Sequence, residues 1–147
     1  MKISEDICMK FPAILREKLE SGEVELPDDT KIEYEPIWAY RGIDRERDDI
    51  TPVTEKDFQS YASLKRRLKR GMKKTANYYG VSLYQTKTAV ENALKFPRPS
   101  KKIAKGYVVQ EGGPQQTNKE TQHICWWLYK DFNISGFVII EKSDGNE

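Results

Sequence analysis

Chemistry in this chain of 147 residues would have to come from a small set of side chains. His123 is its one histidine. In Glu120-Thr121-Gln122-His123, directly ahead of an apolar run, it could act as a general base or as a donor to phosphate, and it could equally be a satisfied structural group. Any mechanism that needs two histidines is excluded. Cys8 and Cys125 lie far apart, with no CxxC or HxxxH spacing, so neither a disulfide framework nor a zinc site is expected. Cys125, inside an apolar run, reads as a buried and unreactive thiol. Gly112-Gly113-Pro114 reads as a turn, because neither a P-loop pattern nor a dinucleotide-binding glycine pattern follows a strand.

The densest functional pattern is cationic. Lys65, Arg66, Arg67, Lys69, Arg70, Lys73 and Lys74 fill seven of ten positions. On a helix, Lys65, Arg66, Lys69, Arg70 and Lys73 share one broad face that could meet several phosphates, with counterion release driving association. The mixture of lysine and arginine suits non-specific contact better than base reading. The same face could instead be solvated, or dock against an acidic part of the chain. Tyr78, Tyr79 and Tyr84 follow it, and Trp38, Tyr40, Trp126, Trp127 and Tyr129 offer further ring faces on which a base could stack. Tyr84 and Trp126 are the candidates for ligand contact. Neighbouring strand residues point to opposite sides, so Trp126 and Trp127 cannot enter the same core face, and one must meet a second layer, a partner or a ligand. Packing is the reading that tryptophan's usual burial favours.

These groups need elements to hold them. Apolar residues Phe11, Ile14, Leu15 and Leu19 predict an amphipathic helix within residues 7–20, stopped at Ser21-Gly22. Residues 30–43 are rich in β-branched and aromatic side chains and predict a strand, with Pro36 marking a bulge or a break. From Thr54, the recurrence of Phe58, Tyr61, Leu64, Leu68 and Met72 predicts a helix whose other face is the basic cluster. Val81 to Tyr84 reads as a short strand, residues 86–96 as a helix closed by Pro97-Arg98-Pro99, and residues 102–109 as a strand. Residues 112–120 read as a polar loop. Ile124 to Tyr129 reads as a strand apolar on both sides and therefore central, Phe137 to Ile140 as a final strand, and residues 142–147 as frayed. Strands come early and late with helices between them. That order predicts a single α+β domain over residues 1–147, with a mixed or antiparallel sheet packed on two to three helices.

Composition agrees with one soluble globular domain, at 37% hydrophobic and 33% charged residues. No run approaches the ~20 apolar residues that a membrane helix needs, and Met1 to Asp6 lacks the apolar core of a signal peptide. A cytoplasmic protein without membrane contact is expected. The net charge of +2 hides an uneven distribution. Residues 1–57 carry 9 Lys/Arg against 16 Asp/Glu, residues 58–105 carry 13 against 1, and residues 106–147 carry 3 against 6. The middle segment can attract phosphate, nucleic acid or an acidic protein, or the acidic first third can fold against it.

Read in order, Tyr40-Arg41-Gly42 ending an early strand, then Tyr79-Gly80-Val81-Ser82-Leu83-Tyr84 and a helix with Ala89 and Val90, then a strand over residues 103–109, resemble the ADP-ribosyltransferase superfamily. That superfamily also includes RNA 2′-phosphotransferases. It uses an early Arg or His strand and a later Ser-containing strand to hold NAD. The resemblance covers roughly residues 37 to 141 and implies that Arg41 contacts NAD and that Ser82 lies on the serine strand. Those families usually carry a late ExE glutamate pattern, which the last third of this chain lacks, leaving Glu141 unpaired as a candidate beside His123. Stretches around Ile103 to Gly106, Gly113-Pro114, His123 and Trp126 to Tyr129 also resemble small uncharacterised bacterial proteins, and that resemblance implies no activity. Arg41 could instead pair with a nearby acid such as Asp44, Asp48 or Asp49.

Three readings follow. The one with the fewest requirements is a binding module without catalysis or cofactor, whose basic surface at residues 65–74, extended by Arg98, Lys101, Lys102 and Lys105, contacts an anionic nucleotide, nucleic acid or acidic protein. The alternative is an ADP-ribosyltransferase-like enzyme or a protein that binds NAD or ADP-ribose. It requires Arg41, Ser82 and His123 or Glu141 to converge, and Arg41 and Ser82 on opposite sides of the sheet would exclude a shared pocket. The third, a small interaction subunit, would expose an apolar patch around Trp126 or Trp127.

Overall fold

A computed structural model describes residues 1–65, 75–94 and 101–140. Among them are three α-helices and six strands, and the strands form one open antiparallel sheet in the order β4-β5-β2-β1-β3-β6. This is an α+β arrangement. The expected N-terminal helix is two pieces, α1 (Glu5–Cys8) and α2 (Ala13–Glu20). Ser4 caps α1 by accepting from the Ile7 amide, and Pro12 stands at the N-cap of α2, where a missing N–H costs nothing. Phe11 and Leu15 from this unit are fully buried.

The early strand is β1 (Ile37–Asp44), which starts immediately after Pro36 because proline cannot join the ladder; upstream of it, Lys31 forms only an isolated bridge to Gln115. β1 pairs along its whole length with β3 (Lys101–Val108) and at one position, Tyr40 opposite Tyr84, with β2 (Val81–Tyr84). β2 pairs fully with β5 (His123–Trp126), which pairs in turn with β4 (Gln115–Asn118), while β6 (Val138–Ile139) closes the other edge on β3. β4 corrects the expected polar loop: Gln-Gln-Thr-Asn has no apolar alternation, and it is an edge strand held by its main chain. β5 is shorter than expected and lies one place in from that edge.

The helix expected from Thr54 does not form over the described residues. A capping box is present, with the Thr54 amide on Asp57 and the Thr54 hydroxyl accepting from Lys56, but it opens only a 3-10 turn at Glu55–Asp57. The apolar spacing fails because its members part company. Phe58 enters the sheet core against Phe137, whereas Tyr61 and Leu64 remain 50% and 42% exposed. Residues 66–74, the bulk of the predicted basic helix, lie outside the described residues. α3 (Lys87–Leu94) matches the expected helix at 86–96 over its described part, with Val90 turned inward.

Strand alternation sorts the interior into layers. Ala39, Ile43, Val81, Leu83, Ile124 and Trp126 project to one side, under Val53, Phe58, Ile134 and Phe137. On the opposite side two clusters cover the sheet: Phe11, Leu15, Tyr78, Tyr79, Cys125 and Trp127 over β5 and β2, and Tyr40, Val90, Ile103 and Ile140 over β1 and β3. Trp126 and Trp127 therefore serve opposite faces, and both are fully buried. Among the described residues, neither contributes to an exposed apolar patch.

Candidate functional site

Between the two clusters, the floor of the sheet is polar. Antiparallel register sets Ser82 opposite Cys125 and Tyr84 opposite His123, so Ser82 and His123 are diagonal neighbours on one face. Their side chains meet, with Ser82 Oγ 2.6 Å from His123 Nε2. Tyr84 stands edge-on to the imidazole at 5.2 Å between centroids. Burial pushes the His123 pKa below its ordinary value, so the ring is neutral near pH 7. Burial raises the Tyr84 phenol despite the opposing influence of the Ser82 hydroxyl, and raises the Cys125 thiol to about 12, as its apolar strand led one to expect.

A cleft of about 460 Å³ opens over this floor. Gly42, Gly80, Ser82, Tyr84, His123 and Cys125 form its base, Val90, Ala93 and Leu94 of α3 one wall, and Tyr61, Leu64, Thr75, Asn77 and Tyr78 the other. Gly42 lets α3 pack closely on the sheet, because a Cβ there would displace the tip of the Leu94 side chain, whose Cδ1 lies 2.0 Å from its position. A second, more polar cavity of about 720 Å³ shares Asn77, Tyr84 and His123 with the first and adds Asp29, Gln116, Asn118 and Thr121. The two adjoin through those three residues, and each by itself is in the size range of small-molecule sites. The second, outer cavity is held by amides: Asn77 donates to Gln116 Oε1 at 3.3 Å, and Gln116 to Asp29 Oδ1 at 2.7 Å.

Arg41 reaches the cleft by an indirect path. Register starts its side chain on the face opposite to Ser82, and the guanidinium lies over Phe58 of the core on that face, yet Arg41 is among the residues that line the cleft. Its Nη1 donates to the Ser82 carbonyl at 2.6 Å, Nε to the Asp57 carbonyl at 2.7 Å and Nη2 to the Gln59 carbonyl at 3.5 Å. Of the acids that sequence offered it as partners, Asp44 binds Lys101 and Asp49 is approached by Arg45 at 3.8 Å. Arg45 also forks onto Asp57, which fixes the turn whose carbonyls Arg41 uses. Among the described residues, Arg41, Asp44, Lys56, Asp57, Lys101 and His123 are the ionisable groups that line this cleft besides its tyrosines and cysteine.

The groups named from sequence thus divide. Arg41, Ser82, Tyr84 and His123 line one cleft. Trp126 is corrected: it is fully buried, its indole N–H on the Gly113 carbonyl at 3.2 Å, and it contributes nothing to the groove. Lys65 is exposed. Arg66, Lys69, Arg70, Lys73, Lys74 and Glu141 lie outside the described residues. Asn77, Gln116 and Asn118 were missed, and nothing in their local sequence separates them from turn and loop amides. Among the described residues no cluster of His, Cys, Asp and Glu is arranged to hold a metal, and no helix is long and apolar enough to cross a membrane. Comparison with family models, curated proteins and solved structures returns no match, so the site rests on its own chemistry.

Proposed function

We infer that the protein binds an anionic nucleotide of the ADP-ribosyl type, NAD or ADP-ribose, in the groove across β1, β2 and β5. The observation that supports this reading is that Arg41, Ser82 and His123, three of the groups that the alternative reading of the sequence asked to meet, line one cleft, together with Tyr84. A neutral imidazole and a hydroxyl in contact offer both a donor and an acceptor to ribose hydroxyls, Arg41 and Lys101 supply positive potential for a pyrophosphate, and the amide-lined outer cavity offers hydrogen-bonding partners to a base. The basic run at residues 65–74 remains compatible as a source of long-range attraction, and Glu141 as a further group; neither is needed for this reading.

Calorimetric titration of the full chain with ADP-ribose tests it. Saturable binding is expected, weakened at least tenfold by Ser82→Ala and by His123→Ala in variants that still melt cooperatively. Absence of binding by both ADP-ribose and NAD at millimolar concentration overturns it.

A further inference from the structure

We propose that Ser82 is a nucleophile served by His123 as general base, and that the cleft cleaves carboxylic esters through an acyl-Ser82 intermediate. This rests on the groove admitting a small molecule, as the nucleotide reading also does, but not on which molecule that is. The geometry is that of an activated hydroxyl: Oγ and Nε2 lie 2.6 Å apart, both residues are half-buried, and both face the same cavity. Ser82 sits on a central strand and His123 on its fully paired neighbour, so the pair is held by the sheet rather than by a loop. A neutral imidazole with its proton on Nδ1 leaves Nε2 to accept. Arg41 donates to the carbonyl of Ser82 itself, which ties the main chain that carries the hydroxyl to β1.

The steps balance with water as the only co-reactant. Ser82 Oγ bonds to the ester carbonyl carbon, its proton passes to Nε2, and the carbonyl π pair moves onto oxygen. That pair re-forms the carbonyl, the C–O bond to the alcohol breaks, and the leaving alkoxide takes the proton from His123. Water then adds to the acyl carbonyl, giving its proton to Nε2. Ser82 departs with that proton, and the carboxylic acid is released.

The experiment uses the full chain with a fluorophosphonate probe, which loses fluoride to a nucleophilic serine, and with p-nitrophenyl acetate. Labelling mapped to Ser82 by peptide mass spectrometry is expected, absent in Ser82→Ala and slowed about 100-fold in His123→Gln. The native protein should release p-nitrophenol with an initial burst. A folded native protein left unlabelled at Ser82, or labelled equally fast in His123→Gln, overturns the proposal. Should His123→Gln fail to melt cooperatively, the native pH profile decides: a rate that falls on the acid side of 6.5, where the depressed imidazole takes up its proton, supports general-base catalysis, and a rate that stays flat from pH 8 down to the acid limit of folding overturns it. ADP-ribose titration reads the nucleotide separately, so either idea can fail without the other.

Discussion

Arg41 is held in large part by main-chain oxygens, which helps a cation to stand at the centre of a sheet. Its fork spans the carbonyls of Ser82, Asp57 and Gln59, joining two strands and a turn. Lysine has the charge but not the fork, so Arg41→Lys should lose about 1–3 kcal/mol of stability by urea unfolding; an unchanged midpoint and slope would contradict the clamp. His123 makes a prediction in pH. Its folded pKa lies below its ordinary value, so above about pH 6.5 both the folded and the unfolded forms are neutral. As pH falls below that, the unfolded chain takes up the proton first and stability is lost, until the folded ring titrates too. Between pH 7.5 and 5 the melting temperature of the native protein should fall more than that of His123→Gln, and parallel profiles would remove the buried neutral ring from the account.

At the scale of elements, the turn at residues 54–59 acts as a bracket. Arg45 and the Thr54 amide both hold the Asp57 carboxylate, and the Asp57 carbonyl holds Arg41. Asp57→Ala leaves Arg45 facing a buried vacancy and should cost about 3–5 kcal/mol in chemical unfolding. It should also weaken ligand binding, because Arg41 loses its support; a variant of native stability would show the bracket to be incidental. β2 and β5 were legible in sequence because apolar and aromatic runs bounded by glycine or polar turns state a strand plainly. β4 was not, since Gln115 to Asn118 are held by edge hydrogen bonds that any polar residue can make. The helix read from Thr54 followed a real capping signal and a real apolar spacing, yet tertiary packing took Phe58 into the core and left Tyr61 outside. The contact of Ser82 with His123 was legible only as two candidates. Their meeting depends on the register of strands 41 residues apart in sequence, which no local pattern carries.

For the whole molecule, the uneven charge distribution has a partly internal outlet. Lys101, on the basic middle segment, pairs with Asp44, and Lys102 donates to the Asp49 carbonyl at 2.6 Å, so acidic and basic thirds meet along β1 and β3. The groove lies beside this seam, between two apolar clusters that leave the polar centre of one sheet face open. Among the described residues, one side of the sheet is covered by a single continuous core and the other by two clusters with the cleft between them, an arrangement that suits a ligand. The central claim is that the room belongs to an ADP-ribosyl compound. A thermal-shift measurement with ADP-ribose, NAD and short RNA at low and high salt tests it most directly. The account predicts that ADP-ribose or NAD, at about 100 times its dissociation constant, raises the melting temperature by roughly 5–10 °C and does so at both salt concentrations. Stabilisation by RNA alone, lost at high salt, would contradict it and assign the function to the basic segment instead.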